Sequence, residues 1–216
     1  MYLDWETDVI AMKDTEKYRQ GFTEPKIEFS FDKVFELLRE RKYGEQEVLH
    51  TLEVYNFASE LLDLEKIGDT DVREIVMIAS LIHDVGRYLK GESIRHHTDV
   101  SLKQLKDFIC PADLGLGERI LKCVQRHSTS SKEKPQTVEE KIVFDADHLT
   151  VFTEFGFKRW FFKAEDWGHI STVQEADREL VGLFDKAKSG NLFNLKSSSA
   201  ILKQTFYSKV FNAISK

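Results

Sequence analysis

Apolar and polar positions along this chain recur with the period of helices. From Ile27 onward the pattern turns helical: Phe31, Val34, Phe35 and Leu38 follow one another at steps of three and four, the spacing of one helical face, and Gly44 closes that run. A second helix is predicted from about Glu45 to Leu64, with Leu49, Leu52, Val54, Phe57, Ala58, Leu61 and Leu62 on its apolar side. Asp69 or Thr70 caps a third that continues to about Asp84. Its residues are apolar nearly all round (Val72, Ile75, Val76, Ile78, Ala79, Leu81, Ile82), which places it at the centre of the fold. Gly86 breaks it.

A polar loop follows to about His96, and helical spacing returns from Val100 to Ile109 until Pro111 stops it. Gly115 and Gly117 fall in a turn before a helix carrying Ile120, Leu121 and Val124. A second polar loop, Ser128 to Pro135, precedes a helix from about Val138 to Leu149, and the aromatic segment Phe152–Trp167 continues as helix. Val173–Lys186 and Ala200–Ile214 read as amphipathic helices joined by a turn at Ser197–Ser199. Residues 1–26 show no clean period and end at Pro25, so they form an N-terminal extension. Strand-like alternation is scarce. The fold class is all-α, with an extension over 1–30, a core over 31–165 and C-terminal helices over 166–216 packed on that core.

A chain of 216 residues with 41% hydrophobic residues builds one domain with a proper core. The longest nearly apolar run, Ile75 to Ile82, is far too short to span a bilayer. The start at Leu3, Asp4, Trp5 and Glu6 is neither a secretory signal nor an Arg-rich transit peptide. Cys110 and Cys123 read as reduced packing residues, and the compartment as cytoplasmic. A net charge of −6 argues against duplex nucleic-acid binding, which needs an extended basic face. It leaves room for a small anionic substrate met by local cations or a metal. Trp160, Phe161, Phe162 and Trp167 have few basic neighbours and suit core or a homodimer contact.

The strongest chemical signal is His83-Asp84, where the most apolar helix meets a glycine. Two polar groups buried there need partners. As a bare dipeptide, local capping is the plainer reading. His50 shares a face with Val54, Phe57 and Leu61, which makes it a satisfied core histidine or a ligand. His127 ends a helix whose inward residues are Ile120, Cys123 and Val124; capping against the helix dipole competes with ligation there. Asp145 and Asp147 border a stripe of Val138, Ile142, Ala146 and Leu149. Carboxylates are seldom buried unless paired or metal-bound, and periodicity does not choose between these two. Mixed imidazole and carboxylate donors suit Mn²⁺, Fe²⁺, Co²⁺, Ni²⁺ or Zn²⁺, with Mg²⁺ also admissible.

The arrangement resembles the HD-domain superfamily of metal-dependent phosphohydrolases, whose motif is His…His-Asp…Asp on an all-helical core. It looks closest to the YedJ-like single-domain branch. The residues that carry the likeness are Ala79-Ser-Leu-Ile-His-Asp-Val-Gly-Arg87, His97-Thr-Asp-Val-Ser101, Arg126-His-Ser128 and Glu139-Glu-Lys-Ile-Val-Phe-Asp-Ala-Asp-His-Leu149, running on to Gly156 and Arg159. The resemblance implies His50, His83, Asp84 and Asp147 as metal ligands, and so selects Asp147 over Asp145. It makes His97 and His127 candidates for a second ion, for phosphate binding or for acid-base work. The chain departs from the subgroup at Glu53, where an arginine usually stands, and at His148 and Thr150, where a basic residue and an aspartate usually stand.

The implied chemistry is hydrolysis of a nucleotide or another small phosphate ester or anhydride. A metal-activated water, aligned by Asp84, attacks in line, and His97 or His127 protonates the leaving oxygen or hydrogen-bonds the phosphoryl group. Arg87, Lys141 and Arg159, with Arg95, are the candidate phosphate-binding cations. The rival reading, encouraged by Glu53 and Thr150, is an HD-fold module that binds metal and nucleotide without turnover. The bland one is a helical interaction protein whose histidines are core or caps.

Overall fold

The computed structural model describes residues 26–40, 44–89, 97–112, 114–156, 158–160 and 173–204. The expectations for the extension before residue 26, for Arg95, for the aromatic run 161–167 and for the helix beyond residue 204 fall outside the described residues.

The described chain is mostly helical, as the periodicity requires. After a short strand β1 (Ile27–Phe29) come α1 (Phe31–Arg39), α2 (Gly44–Leu64) and α3 (Thr70–Ile82), followed by a 3-10 turn over Val85–Arg87. A one-turn α4 (Leu102–Leu105), a strand β2 (Ile109–Pro111), α5 (Leu114–Arg126) and α6 (Val138–Thr150) continue the fold. Helical residues recur over 154–156 and 158–160; then come α7 (Val173–Lys188) and α8 over residues 196–204.

α3 is the axis. Every residue from Glu74 to Ile82 is buried, and α3 packs against α2, α5 and α6, while α2 and α5 also meet α6. Each fully buried Ile or Leu on this axis contributes roughly 1.5–3 kcal/mol relative to exposure. The helix begins where Asp69 accepts from the backbone N–H groups of Asp71 and Val72 at 2.9 and 3.0 Å, satisfying two otherwise orphaned donors. α6 begins on a capping box between Thr137 and Glu140.

Four local expectations are corrected. Ile27–Phe29 is not the start of a helix: it pairs antiparallel with Ile109–Pro111, Ile27 opposite Pro111. The run Val100–Ile109 is helical only over Leu102–Leu105 because its end is taken into that pair. Gly115 and Gly117 lie inside α5, and a Cβ at Gly117 would meet the Pro111 ring at 2.9 Å, so the glycine lets β2 lie close to the helix. Cys123 is buried as expected, but Cys110, opposite Glu28 in the strand pair, is exposed; both are free thiols.

The C-terminal part departs furthest. Ser197–Ser199 is not a turn but the first part of α8. Asp145, fully buried on α6, receives the start of that helix. It accepts from the Asn194 N–H (2.9 and 3.0 Å), the Asn194 side-chain amide (2.9 Å), the Leu195 N–H (2.8 Å) and the Ser198 hydroxyl (2.7 Å). A carboxylate at a helix N-terminus is favoured by the exposed donors and the dipole. Leu192, Phe193, Ile201 and Leu202 follow it into the main core. Among the described residues, no helix is long and apolar enough to cross a membrane.

Asp145 therefore ties α8 to α6. Asp145→Ala leaves several buried donors unpaired and is predicted to cost about 3–5 kcal/mol of stability, read as a lower urea midpoint, with the affinity for Mn²⁺ unchanged. Loss of metal without loss of stability would contradict this role.

Candidate metal centre

The site forms where the central helix stops. His83 is the C-terminal cap residue of α3, and Asp84 follows at φ −97°, ψ 0°, the sparsely populated bridge region often occupied at functional turns. Gly86 makes the next approach feasible, because a Cβ there would overlap the His97 carbonyl and Val100. His97 is thereby brought over the end of α3. α2 delivers His50, the residue after α5 is His127, and α6 delivers Asp147.

The imidazoles meet in two pairs. His50 Nε2 lies 3.2 Å from His83 Nε2, and His97 Nε2 lies 3.2 Å from His127 Nε2. Asp84 stands between them. Its Oδ2 is 3.9 Å from His50 and 3.8 Å from His83, while its Oδ1 is 3.5 Å from both His97 and His127. Asp147 Oδ1 closes the first pair, at 3.3 Å from His50 and 3.7 Å from His83. All four histidines are at most 3% exposed, whereas the Asp147 side chain is 22% exposed and marks the open side.

The far nitrogens fix the near ones. His83 Nδ1 donates to the Ser80 carbonyl at 2.7 Å and His127 Nδ1 to the Val124 carbonyl at 2.6 Å. A carbonyl only accepts, so the hydrogen is on Nδ1. His50 Nδ1 faces the Thr150 hydroxyl at 3.4 Å. That hydroxyl already donates to the Asp147 carbonyl at 2.7 Å, so it accepts from His50. Burial lowers the His50 pKa to about 4, with Arg159 adding to the effect, and burial lowers His83 as well. Both are neutral near pH 7, and the Nε2 lone pairs of His50 and His83 converge with no hydrogen between them.

Burial would raise the Asp84 carboxyl, but the Arg87 guanidinium beside it outweighs burial and holds it well below the usual range. The Asp147 carboxyl is likewise held below the usual carboxylate range against its burial. Bare imidazole nitrogens and charged carboxylate oxygens packed together repel unless a cation lies among them. Ligand atoms of His50, His83 and Asp84, of His83, His127 and Asp147, and of Asp84, His97 and His127 lie within 4.8 Å of one another in each set. A 3.2 Å separation suits two donors about 2.0–2.2 Å from one ion. The residues fit a divalent metal.

Residues 48–151 match the HD domain family. Members of that family are generally metal-dependent hydrolases. The matched stretch runs from the first turn of α2 to just past α6 and contains every histidine and aspartate of the centre. No curated protein and no solved structure gave a match.

Around this centre the expected cations are distributed unevenly. Arg87 Nε donates to Asp84 Oδ1 at 2.7 Å. Arg159, 9% exposed, lies with Nη2 3.6 Å from Asp84 Oδ2 and pairs with Glu47 at 2.9 Å. Lys141 is not brought in. It precedes Asp147 by nearly two turns, about a third of a turn out of phase, and makes none of the centre's contacts among the described residues. Asp145 serves α8 instead. Glu47 escaped the sequence reading, and Thr150 entered it only as a departure from the subgroup, not as a partner of His50. Glu47 sits three residues before His50 on the same face, a spacing that was readable. Thr150 follows Asp147 by three, but its bond to His50 joins residues 100 apart and left no local sign.

Two outcomes follow for the centre. Thr150→Val removes the acceptor that orients His50, and metal affinity is predicted to fall about 10–100-fold with helical content unchanged; isothermal titration with Mn²⁺ reads it. For the metal-free protein, histidines kept neutral in the fold bind fewer protons than in the unfolded chain. The stability they contribute is therefore complete above about pH 6.5 and lost as pH falls, with His50 accounting for roughly 2 kcal/mol near pH 5. Urea midpoints at pH 5 and 7.5 check the sign.

Proposed function

We propose that this HD core is a metal-dependent phosphohydrolase acting on a nucleotide or another small phosphate ester or anhydride, in the manner of the YedJ-like branch. The observation that carries it is the convergence of His50 and His83 lone pairs with the Asp84 and Asp147 carboxylates, beside two guanidiniums. A helical bundle with histidines only as core or caps has no reason to bury such a repulsive set.

In this reading His50, His83, Asp84 and Asp147 hold a divalent ion. Asp84 Oδ1 with His97 and His127 forms a second donor set. Such an ion would offset phosphoryl charge and lower the pKa of a bound water toward neutrality. Asp84, between the two histidine pairs, orients that water and accepts its hydrogen bond. Arg87 and Arg159 face Asp84 and receive the phosphoryl oxygens, planar forks suited to that group. His97 or His127 is left to hand a proton to the leaving oxygen or to complete the second donor set. The Nδ1–H of His127, fixed on the Val124 carbonyl, favours the ligand role. The substrate meets the enzyme in the cytoplasm, with Mn²⁺, Fe²⁺, Co²⁺, Ni²⁺ or Zn²⁺ as the ion.

Asp84→Ala is predicted to abolish Mn²⁺- or Co²⁺-stimulated release of phosphate or pyrophosphate across a nucleotide panel, with the circular dichroism spectrum retained. Full activity in that variant ends the mechanism. A wild-type protein that holds metal but releases nothing from the panel is the regulatory module instead.

A further inference from the structure

Arg159 is the most heavily constrained cation of the centre, and its constraint comes from a residue outside the ligand set. Glu47, 3% exposed in the first turn of α2, accepts from Arg159 Nη2 at 2.9 Å. The Tyr88 hydroxyl also hydrogen-bonds Glu47, which gives that carboxylate a second partner. The guanidinium thus reaches the Asp84 oxygen at 3.6 Å from a predetermined direction. Arg159 Nε is nevertheless buried with no hydrogen-bond partner among the described residues. A buried N–H without a partner is costly, and a guanidinium kept only as a structural tie would have all its buried donors matched. A donor left open beside a candidate metal centre is what an incoming oxyanion completes.

We propose that Glu47, steadied by Tyr88, is the positioning residue that holds Arg159 ready for the phosphoryl group of the substrate. This rests on the hydrolase reading and adds what that reading does not specify. A free arginine loses rotamer freedom when it clamps an anion, whereas one already fixed loses little, and its planar fork must meet the phosphoryl oxygens in one orientation. Glu47 lies three residues before His50, so the same turn of α2 that aims the imidazole aims the guanidinium.

The test is binding of inorganic phosphate to the Mn²⁺-loaded full chain by calorimetry, with metal content and steady-state kinetics alongside. Glu47→Gln keeps the shape but removes the charge that orients Arg159. It is expected to weaken phosphate binding and raise KM tenfold or more, at unchanged Mn²⁺ stoichiometry and with a smaller fall in kcat. Glu47→Asp should restore part of the loss. Tyr88→Phe removes only a hydroxyl, is the safer variant for folding, and should move phosphate affinity in the same direction by severalfold. Wild-type phosphate affinity in Glu47→Gln, or in Tyr88→Phe should Glu47→Gln fail to fold, overturns the assignment, and so does loss of metal from either variant. Those results leave the hydrolase reading standing; a wild type that neither binds phosphate nor turns over any substrate ends that reading itself.

Discussion

The carboxylate of Asp84 is the point on which the rest of the centre depends. It is 5% exposed, stands at the end of the most buried helix, and turns one oxygen toward each pair of histidines. Placing an ionised group there is unfavourable unless opposite charge surrounds it. The surrounding charge comes from elements far apart in sequence: Arg87 from the following turn, Arg159 from beyond α6, and whatever cation the imidazole nitrogens hold. Remove the demand made by this one carboxylate, and the convergence of α2, α3, α5 and α6 on a single polar point has no purpose.

The apolar packing makes that convergence stiff enough to matter. α3 is buried along nearly its whole length, so its end cannot shift without disturbing three neighbouring helices. Three of the four histidines, His83, His127 and His50, are held from behind as well, by Ser80, Val124 and Thr150. These bonds fix ring orientation and tautomer before any ligand arrives, which is how outer partners tune a metal site. Gly86 belongs to the same design, because a side chain there would push His97 off the end of α3.

Much of this was readable in the sequence, for a definable reason. The long helices declared themselves because each buries a continuous stripe, and His50 and His127 stood on those stripes. The His83-Asp84 pair was conspicuous because it ended an apolar run. What stayed hidden depended on contacts with no local period. α6 has two buried faces, one turned to the centre with Asp147 and one to α8 with Asp145. A single-stripe reading therefore cannot assign two aspartates two residues apart. The Ser197–Ser199 run looks like a turn until Asp145 supplies an acceptor for its neighbouring donors. The strands were missed because three-residue pairs are too short to show alternation and depend on a partner some eighty residues away.

The charge balance of the centre bears on how an acidic protein would take the anionic substrate proposed for it. Asp84, Asp147 and Glu47 are three carboxylates, set against the two guanidiniums Arg87 and Arg159, with His50 and His83 neutral. The cluster without metal is thus negative by about one charge, within a chain of net charge −6, and both repel a phosphate. A single divalent ion reverses the sign locally, while the surface stays acidic. Because the reversal takes place in a desolvated pocket, where charges are screened less than at the surface, it outweighs the more distant negative field. Phosphate affinity is then coupled to metal occupancy by the electrostatics of the cluster alone. An empty centre would refuse the phosphate that a loaded one would accept.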